Sequence, residues 1–249
     1  MVLAIAYPRA AAGGPQRLKG SAIAALAGDI RNRLFGIQPK PIDIGALIAR
    51  TAHLVVNGEA ITLSWGFDRP VHDSDGHEAL GACETDPDLP GTVLISINAS
   101  LLAHQPEIIR STAAHEFAHA IFDMPAAIRG QHRRAFRSPF APSLPRPGAA
   151  IEWAEWRADE FMGTFLAPAE RIARIIPKHA SALGLPLRWR AATTGGPSIP
   201  FVDLDPSEGA LGLLVDSLAE SFGVTAAFMS VRLAKGGFIG RPPQTRRLS

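Results

Sequence analysis

The chain has 249 residues, 47% of them hydrophobic and 19% charged, enough for one well-filled core or a core with a small appended domain. No run nears the roughly 18 apolar residues of a membrane span, and no basic residue precedes residues 1–7 to act as a signal n-region. A cytoplasmic protein without a membrane partner is therefore expected. A single cysteine, Cys83, excludes a disulfide framework and a thiolate-rich zinc site, leaving eight histidines and the carboxylates as donors for a transition metal; the net charge of +2 is too small to mark a nucleic-acid binder.

Along the chain, residues 1–17 read as a flexible N-terminus. Ile23, Leu26, Ile30 and Leu34 then recur at helical spacing and predict a first helix over 18–34. Asp43 follows Pro39 and Pro41 and is placed to cap a short helix through Ile48. His53 to Val56, Asn57-Gly58 and Ile61 to Trp65 predict a hairpin, because Asn-Gly readily takes the positive φ of a tight turn. Residues 92–98 predict a third strand. Between them, residues 68–90 are rich in Asp, Gly and Pro and read as a long loop holding Cys83 as a spectator.

A helix is predicted from Pro106 to about Phe122, with Pro early and Glu107 in its first turn. Residues 125–150 hold five prolines and five arginines (Arg129, Arg133, Arg134, Arg137 and Arg146) but no acid, and read as a loop or insertion. Helices over 149–166 and 169–182 follow. Residues 185–209 are Pro/Gly-rich and read as weakly ordered, and two helical stretches, 211–222 and 225–234, close the pattern. The expected organisation is a core over 18–183 carrying the insert 125–150, a loop over 184–209, a helical subdomain over 210–240 and a basic tail over 241–249. The fold class is α+β, a small three-stranded sheet packed on a mainly helical core.

Within the predicted 106–122 helix stands His115-Glu116-Phe117-Ala118-His119. Histidines four apart project from one helix face and can meet one metal ion. Glu116 lies about 100° round from His115 and about 60° from His119, where it can reach a water without being a ligand. The competing reading is a surface helix with two solvated histidines. A catalytic zinc site needs a third protein ligand and an open position. The next helix offers Glu155 and Asp159, four apart on one face: Glu155 closes the triad, and Asp159 accepts the second ring N–H of a liganding histidine, His115 being the preferred partner. Glu152 is the alternative ligand, disfavoured because Trp156 rather than an acid stands four residues on.

The HExxH segment, followed by Glu155-Trp156-Arg157-Ala158-Asp159-Glu160-Phe161 and Phe165-Leu166-Ala167-Pro168, resembles the ImmA/IrrE family of metallopeptidases. Pro41 to Ile44, Ile95-Ser96-Ile97-Asn98, Arg110 to Ala114, Phe222 to Thr225 and Arg232-Leu233 are also similar to that family, so the resemblance covers most of residues 20–240. Asp159 stands where the family usually carries Asn, closer to the Glu-x-x-x-Asp of gluzincin peptidases, and the 125–150 and 185–209 segments are longer than usual.

The resemblance implies a Zn²⁺ metallopeptidase fold and regulated cleavage of helix-turn-helix repressors in mobile elements or stress responses. Glu116 would serve as general base, with His115, His119 and Glu155 as ligands and Asp159 behind them. A non-catalytic metal-binding sensor or partner-binding regulator of the same fold is the alternative. Direct DNA binding through the basic insert is a third, without aromatic interleaving to support it. His132, in the insert, is a candidate oxyanion stabiliser; Tyr7, the only tyrosine, is distant in sequence. Trp153 and Trp156 read as packing, His53, His72, His77, His104 and His179 stay unassigned, and the last two helices have helix-turn-helix proportions but only Arg232 and Lys235 as cations.

Overall fold

The computed structural model describes residues 2–10, 14–37, 41–73, 75–86, 88–130, 135–139, 150–191, 198–202 and 208–240. They divide into two compact units, Met1–Gln38 with Ile42–Leu166, and Pro39–Pro41 with Ala167–Ser249. The fold is α+β, with eight helices among the described residues.

The first unit is built on a mixed sheet of six strands rather than the expected three: β1 (Leu3–Ile5), β2 (His53–Val56), β3 (Glu59–Gly66), β4 (Ala79–Thr85), β5 (Thr92–Ile97) and β6 (Ala135–Pro139), in the order β1-β2-β3-β5-β4-β6. The β2–β3 hairpin turns at Asn57 and Gly58, both at positive φ, as the dipeptide requires. Strand β1, within the segment read as a flexible N-terminus, pairs parallel to β2 through Leu3↔Leu54. Strand β4 lies inside the segment read as a loop and runs antiparallel to β5. Strand β6 lies inside the insert and runs antiparallel to β4.

The small residues of β4 have a physical reason. A Cβ on Gly81 would stand 2.6 Å from Thr112 Cγ2 and 3.1 Å from Glu116 Cγ, so this strand lets a helix approach closer than a β-branched strand would. That helix is α3 (Pro106–Phe122), buried on every side from Thr112 to Phe122. It lies between the sheet and α5 (Ala150–Leu166), which packs in turn on α1 (Gly20–Phe35). Its buried polar residues are Thr112, His115, Glu116 and His119, and Ala113, Ala114, Ala118 and Ala120 make the two-sided packing possible. Phe117, Phe122, Phe161 and Phe165 fill the α3–α5 contact. Helix α2 (Ile44–Thr51) is capped by Asp43, whose carboxylate accepts from the Ala46 amide at 2.6 Å, and the short α4 (Met124–Ile128) follows α3.

The second unit holds α6 (Ala169–Ala182), a two-stranded antiparallel ribbon of β7 (Leu187–Arg190) and β8 (Ile199–Val202), α7 (Glu208–Phe222) and α8 (Ala226–Gly236). Within the segment expected to be weakly ordered, residues 187–190 and 199–202 form this ribbon, while 192–197 and 203–207 lie outside the described residues. Thr225 caps α8 by accepting from the Phe228 amide, and Gly237 ends it in the left-handed conformation that glycine adopts without penalty. Among the described residues no single helix is long and apolar enough to cross a membrane; α7 and α8 reach that length only as a pair bent by 103°.

Candidate metal centre

The HExxH turn of α3 and the second turn of α5 face one another. His115 Nε2 and His119 Nε2 stand 3.1 Å apart, Glu155 Oε2 is 3.1 Å from the first, and 3.6 Å separates it from the second. Three corners of a tetrahedron with metal–ligand bonds of about 2.0–2.1 Å are about 3.3–3.4 Å apart. The observed triangle matches that spacing.

Carboxylates on the far ring nitrogens decide what those atoms are. His115 Nδ1–H donates to Asp159 Oδ1 at 3.1 Å, and His119 Nδ1–H donates to Asp123 Oδ2 at 2.9 Å. An ionised carboxylate only accepts, so each proton sits on Nδ1 and each Nε2 presents a lone pair. Two imidazole lone pairs and a carboxylate oxygen thus converge within 3.6 Å with no donor among them. A cation resolves that repulsion, and the donor set of two imidazoles and one carboxylate suits Zn²⁺. Without one, a proton must serve. Burial opposes charge on His115, yet the hydrogen bonds with Asp159 and Glu155 outweigh it and raise its pKa to about 10. His119 is raised in the same way, burial being overcome by Asp123 and Glu155, and against its own burial Glu155 is held below the usual carboxylate range by the two histidines.

Asp123 is the site residue that the sequence reading missed. It takes the His119 proton with Oδ2, while Arg157 of α5 donates from Nη2 to its Oδ1, both residues being buried. Its signal was available: Asp123 lies four residues past His119, the same interval that separates Glu155 from Asp159. Glu116 is fully buried and turned toward β4, its Oε1 3.1 Å from where a Gly81 Cβ would stand. The centre opens on the α5 side, since His119 is 1% and His115 9% exposed whereas the Asp159 side chain is 59% exposed.

The other sequence candidates fall elsewhere. His132, with Arg133, Arg134 and Arg146, lies outside the described residues, as does the Glu152 side chain. Tyr7 donates its hydroxyl to the carbonyls of Ile121 and Phe122 at 2.9 and 3.2 Å, and burial first, then Asp123, raises its pKa. Its proton ties the chain after β1 to the C-terminal end of α3. Of the insert's arginines, Arg129 is paired with Glu59 and Arg137 with Glu84. Trp153 meets Trp156 edge-on and carries Arg17 on its face, beside a cavity of about 160 Å³. His179 is bonded to Ser217. His77, unassigned from spacing, joins Asp73 and Asp75 in a second trio with donor atoms within 4.8 Å, although Asp73 already closes a turn by accepting from the Asp75 and His77 amides.

Comparison with family models, with curated proteins and with solved structures gives no match for this chain.

Proposed function

We propose that the chain is a zinc-dependent endopeptidase of the ImmA/IrrE type, acting in the cytoplasm on a protein substrate of the helix-turn-helix repressor class that its motifs imply. The observation that carries the proposal is the convergence of His115 Nε2, His119 Nε2 and Glu155 Oε2 at 3.1, 3.1 and 3.6 Å, each imidazole held through Nδ1 by its own carboxylate. Bound zinc would supply a Lewis acid that polarises the scissile carbonyl and brings the pKa of water towards about 7.

The chain's own groups do the rest. The Glu116 carboxylate takes a proton from the attacking water and returns it to the leaving amine nitrogen. Asp159 and Asp123 keep the Nδ1 protons in place, so both Nε2 lone pairs stay directed into the triangle. Arg157 holds Asp123 in register and offsets its buried charge. Phe136, stacked on His119 with ring centroids 4.3 Å apart, excludes water from that imidazole face.

Replacing Glu116 with Gln tests the reading. The variant should bind zinc as the wild type does and leave a co-expressed helix-turn-helix repressor unfragmented by mass spectrometry. Undiminished processing would remove this mechanism, and a repressor controlled equally well by both forms without cleavage would make the centre a metal-binding regulator.

A further inference from the structure

Helix α5 carries Trp153, Trp156 and Arg157 at intervals of three and four, on a face other than that of Glu155 and Asp159. Residues 15–18, between β1 and α1, lie against them, and a cavity of about 160 Å³ remains between the two walls. The outer wall is held in place: the Gln16 amide donates to the Pro8 carbonyl at 3.2 Å, and its side-chain Nε2 donates to the Arg9 carbonyl at 3.0 Å.

The lining is rich in unmet donors. The Arg17 guanidinium lies over the Trp153 ring, 3.9 Å from its centroid, and makes no hydrogen bond or ion pair among the described residues. A guanidinium on a ring face keeps its N–H groups at its rim, where an acceptor can meet them. Arg157 is buried; its Nη2 donates to Asp123, and its Nε is buried without a partner. A buried charged donor with no acceptor costs free energy, which an acceptor brought by a ligand recovers. No acid among the described residues lines the cavity. The remaining surface is aromatic, Trp153 meeting Trp156 edge-on with centroids 5.3 Å apart. A cavity of about 150 Å³ holds one benzene molecule, so this one has room for a single ring.

We propose that this cavity binds a small aromatic monocarboxylate of the benzoate class, with its ring against the two indoles and its carboxylate shared by Arg17 and Arg157. The site is linked to the metal centre, because Arg157 holds Asp123 and Asp123 accepts from His119 Nδ1–H. A ligand carboxylate that draws on Arg157 loosens its hold on Asp123 and lowers zinc affinity, and zinc lowers ligand affinity by the same factor. The linkage rests on the metal-centre reading; ligand binding itself does not.

Benzoate is titrated calorimetrically into full-length protein, zinc-loaded or EDTA-treated, with benzamide as the neutral isostere and inorganic phosphate as the anion without a ring. Benzoate should bind both forms, at least tenfold more tightly than benzamide or phosphate, and Arg17→Gln should weaken it at least tenfold. Arg17 is exposed and stands outside the metal centre, so this variant should keep its fold and its zinc. Equal affinity for benzamide, or undiminished binding by Arg17→Gln, overturns the proposal. So does binding that disappears with EDTA, which places benzoate on the metal.

Chelator competition reads the linkage: saturating benzoate should lower zinc affinity at least twofold in wild type and leave Arg17→Gln unaffected. A raised zinc affinity puts benzoate on the metal and overturns the proposal, and an unchanged one removes the linkage through Asp123. Benzoate binding by a chain that holds no zinc keeps the cavity and removes the metal centre. Zinc binding without benzoate binding does the reverse.

Discussion

Replacing Asp123 with Ala perturbs two functions of one carboxylate, and the structure separates them. Asp123 is 8% exposed and Arg157 9% exposed, so truncation strands a guanidinium in the interior, at a cost of about 3–5 kcal/mol of stability. The same truncation removes the acceptor that holds His119 Nδ1–H. Loss of such an outer partner typically lowers metal affinity about 10–100-fold, equivalent to roughly 1.4–2.8 kcal/mol. Urea denaturation of the metal-free protein reads the first effect, and competition for zinc against a chromophoric chelator reads the second.

Adding Arg157→Met to Asp123→Ala should separate them further. With the stranded charge gone, much of the stability returns, because a buried pair replaced by apolar residues is often neutral. Zinc affinity should stay low, because His119 still lacks its partner. Zinc affinity of Asp123→Ala within twofold of wild type would refute the role assigned to Asp123, and a double variant no more stable than the single one would refute the buried pair.

The His115 pKa, raised from 6.5 to about 10, and the Glu155 pKa, held below the usual 4.5 by the two histidines, give a metal-free protein whose cluster contributes fully between about pH 4.5 and 6.5: the carboxylate part is lost as pH falls below that range, and the histidine part as pH rises from about 6.5 through about 10. EDTA-treated protein should weaken over that window, and a flat urea profile would contradict it. Zinc binding at pH 8 should displace close to one proton, read by calorimetry in buffers of different ionisation enthalpy; a slope near zero would contradict it. Gly81→Ala places a Cβ 2.6 Å from Thr112 Cγ2 and 3.1 Å from Glu116 Oε1, and should cost about 1–3 kcal/mol by overpacking while lowering cleavage more than zinc affinity. Equal losses in both would argue against a specific effect on Glu116.

The histidine pair and the acid pair were legible because each repeats at the helical interval of four, the first helix because Ile23, Leu26, Ile30 and Leu34 keep the spacing of 3.6 residues per turn, and α3 because Pro106 and Glu107 mark its start. The structure brings Asp159 to His115, the partner preferred from spacing. What escaped has physical causes. Strand β4 runs Ala79-Leu80-Gly81-Ala82-Cys83-Glu84-Thr85, with small residues where Gly81 meets α3 and a single β-branched residue at its end, so it lacks the pattern that marks a strand, and aspartates and prolines on both sides read as loop. Strands β1 and β6 hold three and five residues, too few to show alternation. Both are specified by the partner edge rather than by their own composition. Asp123 escaped because an acid just past a helix reads as punctuation until His119 and Arg157 are seen to meet on it.

The most direct measurement is the zinc content of protein purified in zinc and dialysed, compared among wild type, His119→Ala, Glu155→Ala and Glu116→Gln. One ion per chain is expected in wild type and Glu116→Gln, and far less than one in the two ligand variants. Full retention by both ligand variants, or no zinc in wild type, would contradict the assignment of His115, His119 and Glu155 as the metal centre.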